Sequence, residues 1–183
     1  DVYKRQTWID VPSKSSTGIN KSEIDAIENI LRRLIDWARE HQPTQTEGRD
    51  DAERWEIALL SPYQAQRRGM RDMVKRVTGL PYETRFNLLQ MKPPTNIMLT
   101  VNSSDRFQGQ EADVVMISMR NGNRIGFLDS PNRMNVAATR AREWRIVVGD
   151  HTYFSGDKGR MNDPMLKAFA KAHQKESIKE VLS

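Results

Sequence analysis

Short apolar runs alternate with stretches of helical periodicity along this chain, and no other feature of it restricts the fold so tightly. Thr7 to Val11 is aromatic and β-branched, is bounded by Pro12, and reads as a strand. After a small polar loop, Asn20-Lys21-Ser22-Glu23 has the spacing of a capping box, with Asn in place of Ser or Thr. Behind it Ile24, Ile27, Leu31, Leu34 and Ala38 recur at helical spacing, Ile30 and Ile35 widen the stripe, and Pro43 marks the end. A polar loop leads to an apolar strand, Ile57 to Leu60, and Ser61-Pro62-Tyr63 turns the chain into a helix from Gln64 to Thr78 that Gly79 stops. Residues 80–96 hold Pro81, Pro93 and Pro94 and spell no continuous element. Ile97 to Val101 and Val114 to Met119 read as strands, with a loop containing Gly122 and Gly126 after them. Ser130-Pro131 then opens a helix expected to run to about Arg142, and Arg145 to Gly149 is a further strand. The tail from Pro164 onward is expected to be helical, with Met165, Leu166 and Phe169 facing inward. This order implies an α/β domain, a mainly parallel sheet with helices on both faces.

Composition sets the outer limits. A chain of 183 residues, 37% hydrophobic and 29% charged, suits one soluble globular domain, and no repeat or linker argues for a second. No apolar run approaches the about 20 residues of a membrane-spanning helix, so no membrane is expected. With no Cys there is neither disulfide nor thiolate metal site, and His41, His151 and His173 are too scattered to suggest zinc. A reducing, intracellular setting, the cytoplasm, fits this. The net charge of +5 leans weakly toward a polyanionic partner. Asp1 to Gln6 back-translates to GAT GTG TAT AAG AGA CAG, which resembles the end of a transposase adapter; residues 1–6 are read as a cloning or assembly scar rather than a polar N-terminal arm. On that reading the true protein extends further upstream.

The chemistry concentrates between Asn102 and Gly149. Ser104 to Glu111 lies directly between two strands, and ligands of parallel sheets bind at the carboxyl ends of strands, where this loop is expected to fall. Gly109 permits a sharp turn and close approach to a phosphate, and Glu111 can accept hydrogen bonds from ribose hydroxyls. The residues alone are equally compatible with a capped surface turn. In the helix from Asn132 to Arg142, Met134, Ala137, Ala138 and Ala141 form one narrow apolar face. Arg133 and Arg140 flank it on one side, Asn135, Thr139 and Arg142 on the other. An Arg held so can stabilise charge on a transferring phosphoryl group; the plainer reading is pairing with surface carboxylates. Trp8 and Trp55 read as packing residues rather than base-stacking platforms; Trp37 lies off its helix's apolar stripe, and Trp144 is expected at the sheet edge.

These residues are also recognisable. Asp105-Arg106-Phe107-Gln108-Gly109-Gln110-Glu111-Ala112-Asp113 resembles the fifth motif of the Upf-like superfamily 1 helicases, V-D-x-F-Q-G-x-E-x-D. Arg133 to Arg142 (RMNVAATRAR) resembles their sixth, R-x-N-V-A-x-T-R-A-R, and Gly126-Phe127-Leu128 matches the G-F-L that precedes it. Ser61-Pro62-Tyr63-Gln64-Ala65-Gln66 is similar to the fourth, T-P-Y-x-x-Q, and Asn20-x-x-Glu23 to an N-x-x-E at the first helix. The likeness runs in order from about Thr7 to Phe154, departing mildly at Ser61 (often Thr) and Ser104 (often Val).

The resemblance implies a RecA-like, three-layer α/β/α domain over 7–155, with 156–183 as its C-terminal helical tail. It implies the C-terminal half of an ATP-dependent helicase, with Arg140 as the catalytic arginine finger. Gln108, Gly109, Glu111 and Arg140 would face ATP, Glu111 near the ribose. Ser61, Tyr63, Ser104 and Asp105 would face single-stranded or partly duplex DNA or RNA. No G-x-x-x-x-G-K-[ST] occurs, so the phosphate cradle and the site for Mg²⁺ are expected in an N-terminal RecA-like domain upstream, and this chain alone should not hydrolyse ATP appreciably. The competing expectation is a non-catalytic RecA-like module that binds nucleic acid or a protein.

Overall fold

A computed structural model describes residues 5–12, 18–43, 54–120, 139–156 and 164–176. Seven strands form one sheet: β1 (Arg5–Asp10), β2 (Trp55–Leu60), β3 (Arg85–Asn87), β4 (Ile97–Asn102), β5 (Ala112–Ser118), β6 (Ala141–Gly149) and β7 (Gln174–Glu176). Their spatial order is β3-β4-β2-β5-β6-β1-β7. All neighbours are parallel except β3, which pairs antiparallel with β4. The α/β class and the mainly parallel sheet stand as the sequence implied.

Alternation along the strands sorts the core into two layers. Ile57, Leu59, Val114, Met116, Ile146 and Val148 point to one face, where α1 (Lys21–Glu40) and α2 (Gln64–Thr78) cover them. Their neighbours Ala58, Leu60, Val115, Ile117 and Val147 point to the other, joined by Trp8, Phe107, Phe154 and Leu166. Short helices α3 (His151–Ser155) and α4 (Pro164–Lys171) contribute to this second layer. A period of two with both faces buried is what a central parallel strand requires.

Both long helices keep their sequence-expected bounds because local chemistry sets them. Asn20 Oδ1 accepts the Glu23 N–H at 3.2 Å, and Asn20 Nδ2 donates to Glu23 Oε1 at 3.1 Å. Gly79 ends α2 in the left-handed region at φ 70°, its N–H donating to the Lys75 carbonyl. Trp8 is fully buried and its indole N–H donates to the Gly149 carbonyl at 2.9 Å, so it is a packing residue.

Two expectations change. Strand β6 begins at Ala141, four residues earlier than read, so Ala141 and Arg142 belong to the sheet and the sixth-motif helix ends by Thr139. The tail is helical only over α4; it then forms β7, whose Gln174, Lys175 and Glu176 pair with Thr7, Trp8 and Ile9. Residues 80–96 form no continuous element, as expected, holding only β3 and a single 3₁₀ turn, Leu88–Gln90. Arg5 and Gln6, set aside from the fold, lie in β1 opposite Trp144 and Arg145. The expected loop at Gly122 and Gly126, the helix start at Ser130-Pro131, and Arg133 to Ala138 fall outside the described residues.

Candidate functional site

The connection from β4 to β5 carries the fifth-motif residues, and the strand order dictates its path. Because β2 lies between β4 and β5, and all three are parallel, residues 103–111 must run from the carboxyl edge of the sheet back to its amino edge. Phe107, 2% exposed, pins the crossing to the second core layer beside Ala58 and Leu60. The expectation that the whole loop sits at the carboxyl ends is therefore corrected. Ser104 and Asp105 are at the carboxyl edge; Gln108, Gly109 and Glu111 travel toward the amino edge.

Arg140 meets them there. It immediately precedes β6, and its carbonyl accepts the Ala112 N–H at 3.0 Å, which sets it beside the end of the loop. Its side chain is half-buried, and its Nε is buried without a hydrogen bond. Gly109 takes φ 82°, and a Cβ there would meet nothing within 4 Å. Backbone conformation, rather than crowding, explains the glycine. Glu111 is exposed and its carboxylate accepts from Arg142 Nε at 3.3 Å, while Arg142 Nη1 reaches Asp113 at 3.4 Å. The plainer reading of the arginines, pairing with carboxylates, describes Arg142; among the described residues Arg140 makes no such pair. Among the described residues, no group of three or more His, Asp or Glu side chains converges as metal ligands do.

The opposite edge gathers the other predicted residues. Ser61 follows β2, and its N–H donates to the Asn102 carbonyl at the end of β4. Ser61 is fully buried and its Oγ accepts the Tyr63 N–H at 3.4 Å; Ser104 is buried too, 8% exposed. Both shape turns. Tyr63 and Asp105 are the members with accessible surface.

Sequence reasoning missed the cations around them. Arg120, just beyond β5, lies over the Tyr63 ring at 4.1 Å from its centroid and donates to the Gly18 carbonyl. Arg67 donates to the Ser61 and Pro62 carbonyls, each at 2.8 Å, and Arg71 to the Val101 carbonyl at 3.1 Å. Burial, with Arg71 and Arg106 nearby, holds the Arg67 guanidinium below its usual range. The available signal was the i,i+4 spacing of Arg67 and Arg71 directly after the Ser61-Pro62-Tyr63 turn.

Also missed was what binds this edge together. Glu23, fully buried, accepts from Ser118 Oγ at 2.6 Å and from the Arg120 N–H at 2.9 Å. Gln66 Nε2 donates to Ser118 Oγ at 3.0 Å and to the Asn20 carbonyl at 3.1 Å, and Gln66 Oε1 accepts the Asn20 N–H at 2.8 Å. Burial pushes the Glu23 carboxyl up to about 7, against the Ser118 and Arg120 donors that pull it down. The N-x-x-E and the Gln of the fourth motif are one network inside the fold.

A family model described as an AAA domain matches residues 4–152. Regulator of nonsense transcripts 1 from Dictyostelium discoideum is 28% identical over 151 residues, 81% of this chain and 10% of that protein. The chain belongs to this family, among its Upf-like superfamily 1 helicases. Two further relatives place this Upf-like domain among proteins named as helicases. MOV-10 of Gallus gallus, named as a helicase, is 31% identical over 155 residues, 79% of this chain and 14% of that one. An uncharacterized ATP-dependent helicase of Methanocaldococcus jannaschii is 32% identical over 103 residues, 56% of this chain and 15% of its own length. The chain thus spans between 10 and 15% of the length of these relatives. Among the described residues of this Upf-like domain, no helix is long and apolar enough to cross a membrane.

Proposed function

We propose that this Upf-like domain is the C-terminal half of an ATP-dependent helicase or translocase, with its amino edge facing nucleotide and its carboxyl edge facing nucleic acid. The observation that carries the reading is the separation of the two residue groups. Gln108, Gly109, Glu111 and Arg140 gather toward one edge of the sheet, while Ser61, Tyr63, Ser104 and Asp105 sit toward the other. Arg140 is the arginine finger, whose unpartnered Nε fits a phosphate-facing guanidinium. Gln108 and Gly109 offer an exposed turn to the nucleotide, and Glu111, steadied by Arg142, faces the ribose. Mg²⁺ and the β- and γ-phosphate cradle belong to an upstream RecA-like domain in cis, so this chain by itself does not hydrolyse ATP.

At the carboxyl edge Tyr63 is the base-stacking candidate, and Arg67, Arg71 and Arg120 supply positive charge for a phosphate backbone. Ser61 and Ser104 act through the turns they hold, and Asp105 borders the track. DNA and RNA satisfy these charge and stacking contacts equally.

In a full-length parent, Tyr63→Ala is expected to weaken single-strand binding by at least about fivefold, the low end of a base–aromatic stack. Fluorescence anisotropy with a labelled oligonucleotide measures this, with ATP binding in the absence of nucleic acid as the control. Unchanged oligonucleotide affinity would remove Tyr63 from the track; a parallel loss of ATP binding would show that the two edges are not separate.

A further inference from the structure

A cleft of about 320 Å³ opens at the amino edge between the last turns of α1 and the sheet. Leu34, Trp37, Trp55 and Trp144 supply its apolar wall, and Asp113 and Glu143 are its charged lining residues. Among the described residues, neither Lys nor Arg lines it. None of the residues of the two edges described above is needed to form this wall.

Two of the three indole N–H groups are committed within the fold. Trp55 Nε1 donates to the His41 carbonyl at 2.9 Å, and Trp144 Nε1 donates to Thr7 Oγ1 at 3.3 Å. Trp37, 43% exposed, stacks on His41 at 4.4 Å between centroids and leans on Trp55 at 4.9 Å. Indole faces carry negative quadrupole potential and attract cations.

Two further features have the same sign. Asp113 is committed to the Glu56 N–H and to Arg142, but Glu143 is exposed and has no ion pair among the described residues. The C-terminal end of the 20-residue helix α1 adds the negative pole of its dipole beside Trp37. Aromatic faces, a carboxylate and a helix C-terminus together select a cation with an apolar stem. The volume, at the small end of ligand pockets, suits one side chain.

We infer that this cleft is a binding site for an arginine side chain presented by a partner protein, its guanidinium held over the indole faces and against Glu143.

The probe is N-acetylarginine methylamide, titrated into ¹⁵N-labelled protein, with N-acetylcitrulline methylamide as its neutral isostere. Indole N–H resonances report the location, since Trp37, Trp55 and Trp144 belong to the cleft and Trp8 to the opposite core layer. Saturable shifts confined to the three cleft indoles are expected at millimolar probe, with citrulline at least about fivefold weaker because the cation–π term is lost. Glu143→Gln, at an exposed position, is expected to weaken arginine binding about threefold or more, and Trp37→Ala to weaken it further, with dispersed spectra showing that both variants remain folded. Equal shifts with citrulline, equal movement of the Trp8 indole, or no shift up to about 50 mM arginine probe would each overturn the assignment.

Discussion

Arg140→Ala in a full-length parent is expected to lower nucleic-acid-stimulated ATP turnover by about a thousandfold or more, the scale at which an arginine finger acts on phosphoryl transfer. The loss should fall on kcat, because a guanidinium that meets charge developing in the transition state contributes little to ground-state binding. Folding should be nearly untouched. The backbone bond from Ala112 to the Arg140 carbonyl survives the substitution, and the side-chain Nε leaves no protein acceptor behind when it is removed. Arg140→Lys should rescue little, since a point ammonium cannot reproduce the planar fork. Arg142→Ala is the informative contrast, because that side chain is tied to Glu111 and Asp113 and should affect the shape of the loop end more than the chemistry. Steady-state ATPase assays with saturating single strand, alongside thermal melts, measure all three. Near-normal turnover in Arg140→Ala, with the protein folded, would end the arginine-finger assignment.

How far the sequence reached depended on whether the information was local. Helices α1 and α2 were legible to within a residue or so because a cap at Asn20, a stop at Gly79 and an unbroken apolar stripe all lie within the segment. The strand starts were less so. Arg142 and Glu143 follow Ala141 at the start of β6 and reach solvent, where charged residues are tolerated, and their sequence continues the helical look of the preceding motif. β7 is three polar residues whose pairing with β1 no hydrophobic pattern announces. The site divides in the same way. The fifth and sixth motifs were readable as residues, but which edge each would occupy was not. That depends on β2 being inserted between β4 and β5, a fact of strand order that no nine-residue loop contains. Likewise Glu23 looked like a helix-capping acid, but the Asn20 N–H donates to Gln66 Oε1 and the Glu23 carboxylate takes the Asn20 side-chain amide instead. Its main role, reaching Ser118 and Arg120 95 and 97 residues away, is purely tertiary.

That tertiary role carries the largest stability effect expected in this chain. Glu23→Ala would strand three donors, Ser118 Oγ, the Arg120 N–H and Asn20 Nδ2, around a carboxylate with no exposed surface beside a half-buried Arg120. At roughly 1–3 kcal/mol for each buried group left unpaired, with some relief from hydroxyl rotation, the loss should be about 3–5 kcal/mol. For a domain of this size that lowers Tm by about 10 °C or more. The pH dependence tests the same network with the wild-type chain as reference. Glu23 is raised from 4.5 to about 7, so between these values the folded state binds more protons than the unfolded one. Its contribution is therefore present below pH 4.5 and is lost as pH rises through 7, by roughly 3 kcal/mol. His173 acts in the opposite direction. Its Nε2 accepts from Arg145 Nε at 3.0 Å, which leaves Nδ1 to donate to the Phe169 carbonyl at 2.7 Å, and a second ring proton would face the guanidinium. Burial pushes this imidazole from 6.5 down to about 4, so its contribution rises with pH between those values. The two windows overlap and their slopes oppose, giving the wild-type chain a nearly flat stability profile between about pH 4.5 and 6.5. Single variants should uncover each slope: Glu23→Gln leaves stability rising with pH, and His173→Gln leaves it falling. Urea denaturation at half-unit pH steps reads both, and a wild-type profile that rises in parallel with that of Glu23→Gln would mean that Glu23 is ionised throughout and the network is held by its charged form.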